Sequence, residues 1–156
     1  MVKMKNDGFS MVELVIVIAI MAILTTALAP VLVKYISKSR ISSDIDTGKA
    51  IVTGITTVIS DGGDYADDAV SYTQPHEVND MKNDTFKNKV FEVAGIKGSS
   101  ISGKSKKDAL GNAISDRKFY YTLDVNKNFV AVYYGGTDDR HQIYPVMGEC
   151  LSGQAD

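Results

Sequence analysis

Glu13 is a lone carboxylate at the mouth of an apolar run that continues from Leu14 to Val33. An ionised carboxylate at the centre of a membrane-spanning helix costs roughly 2.5–3.5 kcal/mol on insertion scales, and less toward an end. Such a group persists where something pairs with it, so Glu13 reads as functional and its partner becomes the question. The bland alternative is that its side chain snorkels to the headgroups and does nothing more.

Other residues with chemical potential form weaker patterns. His76 and His141 are the only histidines, and neither has a catalytic or metal-ligand spacing. Both read as surface residues. Asp61, Asp64, Asp67 and Asp68 are close enough to consider for calcium, but the EF-hand spacing is not met. Asp138 and Asp139 are weak calcium candidates in a loop before the last strand. Lys104, Lys106 and Lys107 form a small basic cluster that reads as a solvated loop. Tyr120, Tyr121, Tyr133 and Tyr134 would make a stacking platform only if two shared an exposed face, and adjacent strand residues point to opposite faces. No nucleophile, base and orienting group can be assembled, so the chain reads as a non-enzyme with no cofactor.

The apolar run is 20 residues long and broken only by Thr25, Thr26 and Pro30. That length spans a hydrocarbon core of about 30 Å, and a helix is required because lipid cannot satisfy open backbone groups. Pro30 removes a donor and crowds the Thr26 carbonyl, which predicts a kink. The hydroxyls of Thr25 and Thr26 are expected to help re-satisfy the freed backbone. After Lys34 the pattern turns amphipathic, with Ile41, Ile45, Val52, Ile55 and Ile59 at intervals of three, four and seven. Lys38, Arg40, Asp44, Asp46 and Lys49 fall largely between them. Gly48 and Gly54 weaken this helix by at most about 1 kcal/mol each, and Asp61-Gly62-Gly63 ends it. One nearly continuous helix over residues 9–60 would be about 78 Å long.

The motif Gly8-Phe9-Ser10-Met11-Val12-Glu13, the apolar helix behind it and the basic leader Met1–Gly8 resemble the N-terminus of type IV pilins and pseudopilins. The resemblance implies cleavage between Gly8 and Phe9 and N-methylation of Phe9. It puts Glu13 at the fifth mature position and Pro30 at the twenty-second, where the family has a Glu and commonly a Pro. It covers roughly the first forty residues and implies a ladle-shaped fold beyond them. Cleavage would create an amine on Phe9, with a reference pKa of about 7.7–8.0, and a carboxylate in low dielectric favours its charged form. The family pairs this amine with the Glu of a neighbouring subunit, here Glu13. A buried charge that is paired is tolerated where a lone one is not. An internal pair, four residues apart in one chain, stays open.

The implied organisation is a leader at 1–8, a long helix at 9–60 and a globular domain at 61–156. Within the helix, 9–33 spans the membrane and later forms the fibre core, and 34–60 is amphipathic. The implied partners are further copies in a helical filament, a prepilin peptidase and N-methyltransferase, and, indirectly, an assembly ATPase with its inner-membrane platform protein. The implied location is the cytoplasmic membrane, single-pass with the N-terminus inside, and the cell surface after assembly. Basic residues on both sides of the span leave the charge rule for orientation undecided. Two other readings use the same segment. Ala27-Leu28-Ala29 fits a secretory cleavage site, but Pro30 after the cut and Glu13 before the run oppose it. A plain signal anchor carrying an extracellular binding domain would make Glu13 dispensable.

In the outer domain, Asp64–Asp80 reads as a polar loop with a short helix after Pro75. Asp84-Thr85 is expected to cap a helix carrying Phe86, Val90 and Phe91 and stopped by Gly95. Residues 98–107, rich in Gly, Ser and Lys, read as a mobile loop. Residues 119–123 and 129–134 predict two strands joined around Asn126-Lys127-Asn128, and 143–147 an edge strand interrupted by Pro145. The expected class is α+β: a small antiparallel sheet lying on the amphipathic helix.

Totals narrow the function further. With 156 residues, the chain suffices for one domain with a modest core. A net charge of −2, moving to −3 if Lys3, Lys5 and Asp7 leave with the leader, argues against general nucleic-acid binding. Cys150 is the only cysteine, so no intrachain disulfide can form. It reads as a thiol near a mobile tail.

Overall fold

The computed structural model of the protein describes residues 9–62 and 69–153. The chain divides into two compact units, residues 1–36 and 37–156. Helix α1 runs from Met11 to Ser60 with Pro30 inside it.

In the first unit every described side chain from Phe9 to Ile36 is exposed. Leu, Ile, Val and Met project all round the helix, which is the pattern of a segment that a dry environment must cover. The helix is long and apolar enough to cross a membrane.

The second unit begins with the amphipathic part of α1. Ile41, Ile45, Ile51, Val52, Ile55 and Val58 are buried at helical spacing, and Ile59 is only partly so. Asp44, Gly48 and Gly54 lie on the same buried face. The helix stops where Gly62 takes a positive φ of 60°, a conformation glycine adopts without steric cost.

Strands β1 (Tyr72–Glu77), β2 (Phe119–Asp124), β3 (Phe129–Tyr134) and β4 (Gln142–Tyr144) form one antiparallel sheet in the order β1-β2-β3-β4. Phe119, Tyr121 and Leu123 face Tyr134, Val132 and Val130 across the central pair. All six join the α1 residues in a single core. The four-residue connection from β2 to β3 closes with Asn128 at φ 49°, and Lys127 N–H donates to the Asp124 carboxylate at 3.2 Å. Asn is among the few residues that enter the left-handed region readily. The two expected strands and the α+β arrangement are therefore present.

Three local expectations are corrected. The segment around Pro75, expected as a loop, is a strand, and the short helix expected after it is a 3-10 turn over Val78–Asp80. β1 lies at the edge of the sheet and its register shifts between Tyr72 and His76, which is where a strand accepts a proline. The edge strand near the C-terminus is Gln142–Tyr144, stopping just before Pro145. Helix α2, Asp84–Val93, is capped one residue earlier than expected, by Asn83, whose side chain accepts from Thr85 N–H at 2.8 Å. Its end is the expected one: Gly95 has φ 69°, and Ile96 N–H donates to Phe91 C=O at 2.8 Å. That is the six-to-one bond of a Schellman cap.

The Gly/Ser/Lys stretch at 98–107 is tied down rather than free. Both oxygens of the Asp44 carboxylate are used: Lys104 N–H and Ser105 N–H donate to them, each at 2.8 Å. Gly103 is buried beneath the Tyr134 ring, where a Cβ would come within 2.2 Å of a ring carbon. The Tyr134 hydroxyl donates to Ser105 C=O at 3.0 Å.

Candidate functional site

The sequence singles out the start of α1, and its geometry follows from local backbone needs. The first N–H groups of a helix have no partner inside it. Ser10 stands just before α1 and its hydroxyl accepts Val12 N–H at 3.3 Å. Glu13, in the first turn, reaches back to accept Ser10 N–H through Oε2 at 2.9 Å. Ser10-x-x-Glu13 thus has the sequence of a capping box, with the Glu13 half of the box formed and the Ser10 hydroxyl on Val12 N–H rather than on that of Glu13. The carboxylate also sits at the positive end of the helix dipole, the most favourable place for an anion on a helix. Phe9, the residue before this box, is 89 % exposed. Gly8 and the rest of the leader lie outside the described residues.

Further along, Pro30 deprives the Thr26 carbonyl of its usual donor. The nearby hydroxyls do not repair that bond. Thr25 donates to Met21 C=O and Thr26 to Ala22 C=O, each at 2.7 Å, one turn before each threonine. They satisfy themselves against the helix that precedes them, as Ser and Thr commonly do inside helices.

The other candidates do not converge. The Asp138 carboxylate is engaged by its own loop: Oδ2 accepts from Arg140 Nη2 at 2.9 Å and Oδ1 meets His141 Nδ1 at 2.5 Å. Burial raises the pKa of Asp138, but the bonds to His141 and Arg140 outweigh it and hold the group below its ordinary value. Asp139 is exposed beside it. Among the described residues no group of three or more His, Cys, Asp and Glu side chains is placed to hold a metal. Asp61 is exposed, while Asp64, Asp67 and Asp68 lie outside the described residues. His76 is half-buried, stacked on Tyr72 with ring centres 4.2 Å apart. Its Nε2 lies 2.8 Å from the Asp80 carbonyl oxygen.

The basic cluster splits in function. Lys104 serves the Asp44 clasp through its backbone and Ser43 through its Nζ, at 3.0 Å from the hydroxyl. Lys106 and Lys107 are exposed. The tyrosine pairs offer no stacking platform. Tyr121, Tyr133 and Tyr134 are buried, so even the outward partner of the second pair is covered. Tyr120 is half-buried with its hydroxyl 2.5 Å from Asp116 Oδ2. Burial, then that bond, pushes its pKa up to about 12. Cys150 is also buried, in the short helix α3 (Glu149–Ser152), and burial with the nearby Asp108 carboxylate pushes the thiol up, away from reactivity.

The residue that sequence reasoning missed is Asp44, which is only 2 % exposed. The signal was available. Asp44 lies three residues after Ile41 and four before Gly48, which puts it on the buried stripe and not between stripes. Its charge argued for the surface, and a partner 60 residues away in the chain overrode that argument. The capping box was equally legible as Ser-x-x-Glu ahead of an apolar run.

Comparison with known proteins identifies the start of the chain. The family described as "Prokaryotic N-terminal methylation motif" matches residues 3–29. No curated protein and no solved structure matches the chain. The matched stretch contains Gly8, Phe9, the Ser10–Glu13 box and the apolar helix almost to Pro30. The chain thus bears at its N-terminus, over residues 3–29, the methylation motif typical of type IV pilins and pseudopilins.

Proposed function

We propose that the chain is a structural subunit of a type IV pilus or related filament, cleaved between Gly8 and Phe9 and methylated on the new amine. The motif implies a prepilin peptidase and assembly into filaments in general. In this reading residues 1–8 are the leader and the apolar helix is held first in the cytoplasmic membrane, with the leader on the cytoplasmic side. The same surface is later buried by neighbouring copies in the fibre core at the cell surface. Residues 61–156 form the outer domain. Lipid and fibre core are both dry, so the hydrophobic term nearly cancels between them. Direction must come from packing, from pairing of Glu13 with the Phe9 amine of a neighbour, and from an assembly ATPase acting through its platform protein.

The observation that carries this reading is the exposed Glu13 carboxylate in the matched motif, at the head of a helix exposed along its first 26 residues, Met11 to Ile36. The test is the intact mass and N-terminal sequence of protein sheared from whole cells. A chain beginning at methylated Phe9 is expected. One beginning at Met1 and retained in membranes would favour a plain anchored domain, and one beginning at Pro30 a secretory signal. Glu13→Ala should be cleaved and inserted yet assemble poorly, and normal fibres from it would sink the pairing. The same motif is typical of pseudopilins, and long fibres on the cell surface would distinguish a pilus from a pseudopilus.

A further inference from the structure

We propose that the exposed basic residues gathered where the outer domain meets the start of the amphipathic helix bind the phosphate headgroups of anionic phospholipids while the chain is held in the membrane. The inference rests on the membrane-held state proposed above and adds a lipid class to it. Lys38 and Arg40 follow the apolar run within about two helical turns of Val33. A second basic group is brought to the same stretch of helix from far along the chain. Lys104 Nζ lies 3.0 Å from the Ser43 hydroxyl, and Lys104 N–H and Ser105 N–H donate to the Asp44 carboxylate. That fixes the segment carrying Lys104, Lys106 and Lys107 against the turn of α1 that follows Arg40. All five cations are exposed, and none is in an ion pair among the described residues.

The patch keeps its charge because its own carboxylate is turned inward. Asp44, the only acid in residues 37–44 and 98–107, is 2 % exposed and has both oxygens occupied by backbone donors. Asp46, exposed on the same helix and lining a groove with Lys104, offsets one of the five charges. The chain as a whole is net negative at −2, so the patch is a local concentration of the opposite sign. Its place in the chain selects the partner. The headgroup region is about 5–8 Å deep on each side of the hydrocarbon core, and the field of an anionic surface extends about 8 Å further at physiological salt. Ser43 comes ten residues after Val33, no more than about 15 Å of helix rise. Lys38 and Arg40 fall inside that range, and Lys104 lies at its edge. A lysine or arginine near an anionic bilayer strengthens attachment roughly 5-fold, and phosphate accepts charge-assisted hydrogen bonds from both.

The experiment places the full chain in nanodiscs of phosphatidylcholine, or of phosphatidylcholine mixed with phosphatidylglycerol, with the same fraction of nitroxide-labelled headgroups in both. Paramagnetic broadening of the amide signals is read by NMR. At residues 38–40 and 104–107 it should be roughly 3-fold or more greater in the mixed discs, and the gain should vanish at high salt. Arg40→Gln combined with Lys106→Gln and Lys107→Gln should lose most of that gain. The amide shifts of Lys104 and Ser105 should meanwhile stay in place, because the clasp on Asp44 uses backbone donors. Lys38→Gln, at an exposed helical position, should lose part of the gain in the same way. Equal broadening in the two lipids, or a gain that the triple variant keeps, would overturn the lipid site while the membrane-held state stood. A short DNA duplex that shifts the same signals in neutral discs more than phosphatidylglycerol does would assign the patch to nucleic acid and overturn the lipid site too. A chain that fails to enter the discs would overturn the membrane-held state and this proposal with it, so the two failures are told apart.

Discussion

A carboxylate as deeply buried as Asp44 ordinarily needs a cation, yet this one is satisfied by two backbone N–H groups at 2.8 Å. Charge-assisted bonds of this kind are stronger than neutral ones, and they are what turns a Gly/Ser-rich segment into a fixed part of the fold. The consequence for substitution is asymmetric. Asp44→Ala leaves Lys104 N–H and Ser105 N–H without acceptors, and each orphaned buried donor costs about 1–3 kcal/mol. The expected loss of stability is therefore about 2–6 kcal/mol, read as a lower urea midpoint with faster amide exchange at Lys104 and Ser105. Asp44→Asn should lose part of it, because its amide offers one acceptor and turns a second donor toward an N–H. An unchanged midpoint in Asp44→Ala would refute the clasp. Glu13 also accepts a backbone N–H, at the start of the same helix, but in open surroundings. That difference separates a carboxylate that holds a fold together from one that is exposed at a helix start.

At the scale of elements, the two glycines of α1 mark where other elements come close. A Cβ on Gly48 would lie 2.2 Å from the end of the Ile143 side chain in β4, which can swing away. A Cβ on Gly54 would lie 2.6 Å from the Val90 carbonyl oxygen in α2, which is backbone and cannot. Propensity alone predicts that Gly54→Ala stabilises the helix by about 1 kcal/mol. Overpacking against a fixed carbonyl costs about 1–3 kcal/mol, so the net effect should be destabilising. Thermal unfolding of the full chain in detergent measures it, and a raised midpoint would show that α2 shifts freely. Helix propensity weighs one segment at a time and so does not register the approach of α2. The same limit explains the other misreadings. α1, α2, β2 and β3 were legible because 3.6- and 2-residue periods of apolar residues are local signals. β1 was not, since Thr73, Gln74 and Pro75 carry no such period and the strand exists by pairing with β2. Residues 98–107 looked mobile by composition, and only Asp44 far upstream makes them ordered. At the candidate site Glu13 stood out in the motif, while its bond to Ser10 N–H went unread although that residue lies three positions away.

At the scale of the whole molecule, the division near residue 36 separates two kinds of solubility. Every member of the hydrophobic core lies at or after Ile41, and the described residues before Ser37 are all exposed. The core thus closes with the amphipathic part of α1, α2, the sheet and the short elements around them, without the apolar residues before Ser37, whose exposed surface is the kind that a dry environment covers. A chain begun at Ser37 should therefore be soluble without detergent, monomeric, and able to unfold in one cooperative transition with the Asp44 clasp intact. Its first turn loses the helical residues before it and will fray, but Ile41 and Asp44 are held by tertiary contacts that fraying does not reach. Size-exclusion chromatography and urea unfolding followed by circular dichroism test this directly. Aggregation, or loss of the sheet signal, would mean that residues 9–36 contribute to folding as well as to anchoring. Cooperative unfolding would assign them to anchoring and assembly alone, and would make substitutions at Glu13 alter fibre formation without altering the stability of the outer domain.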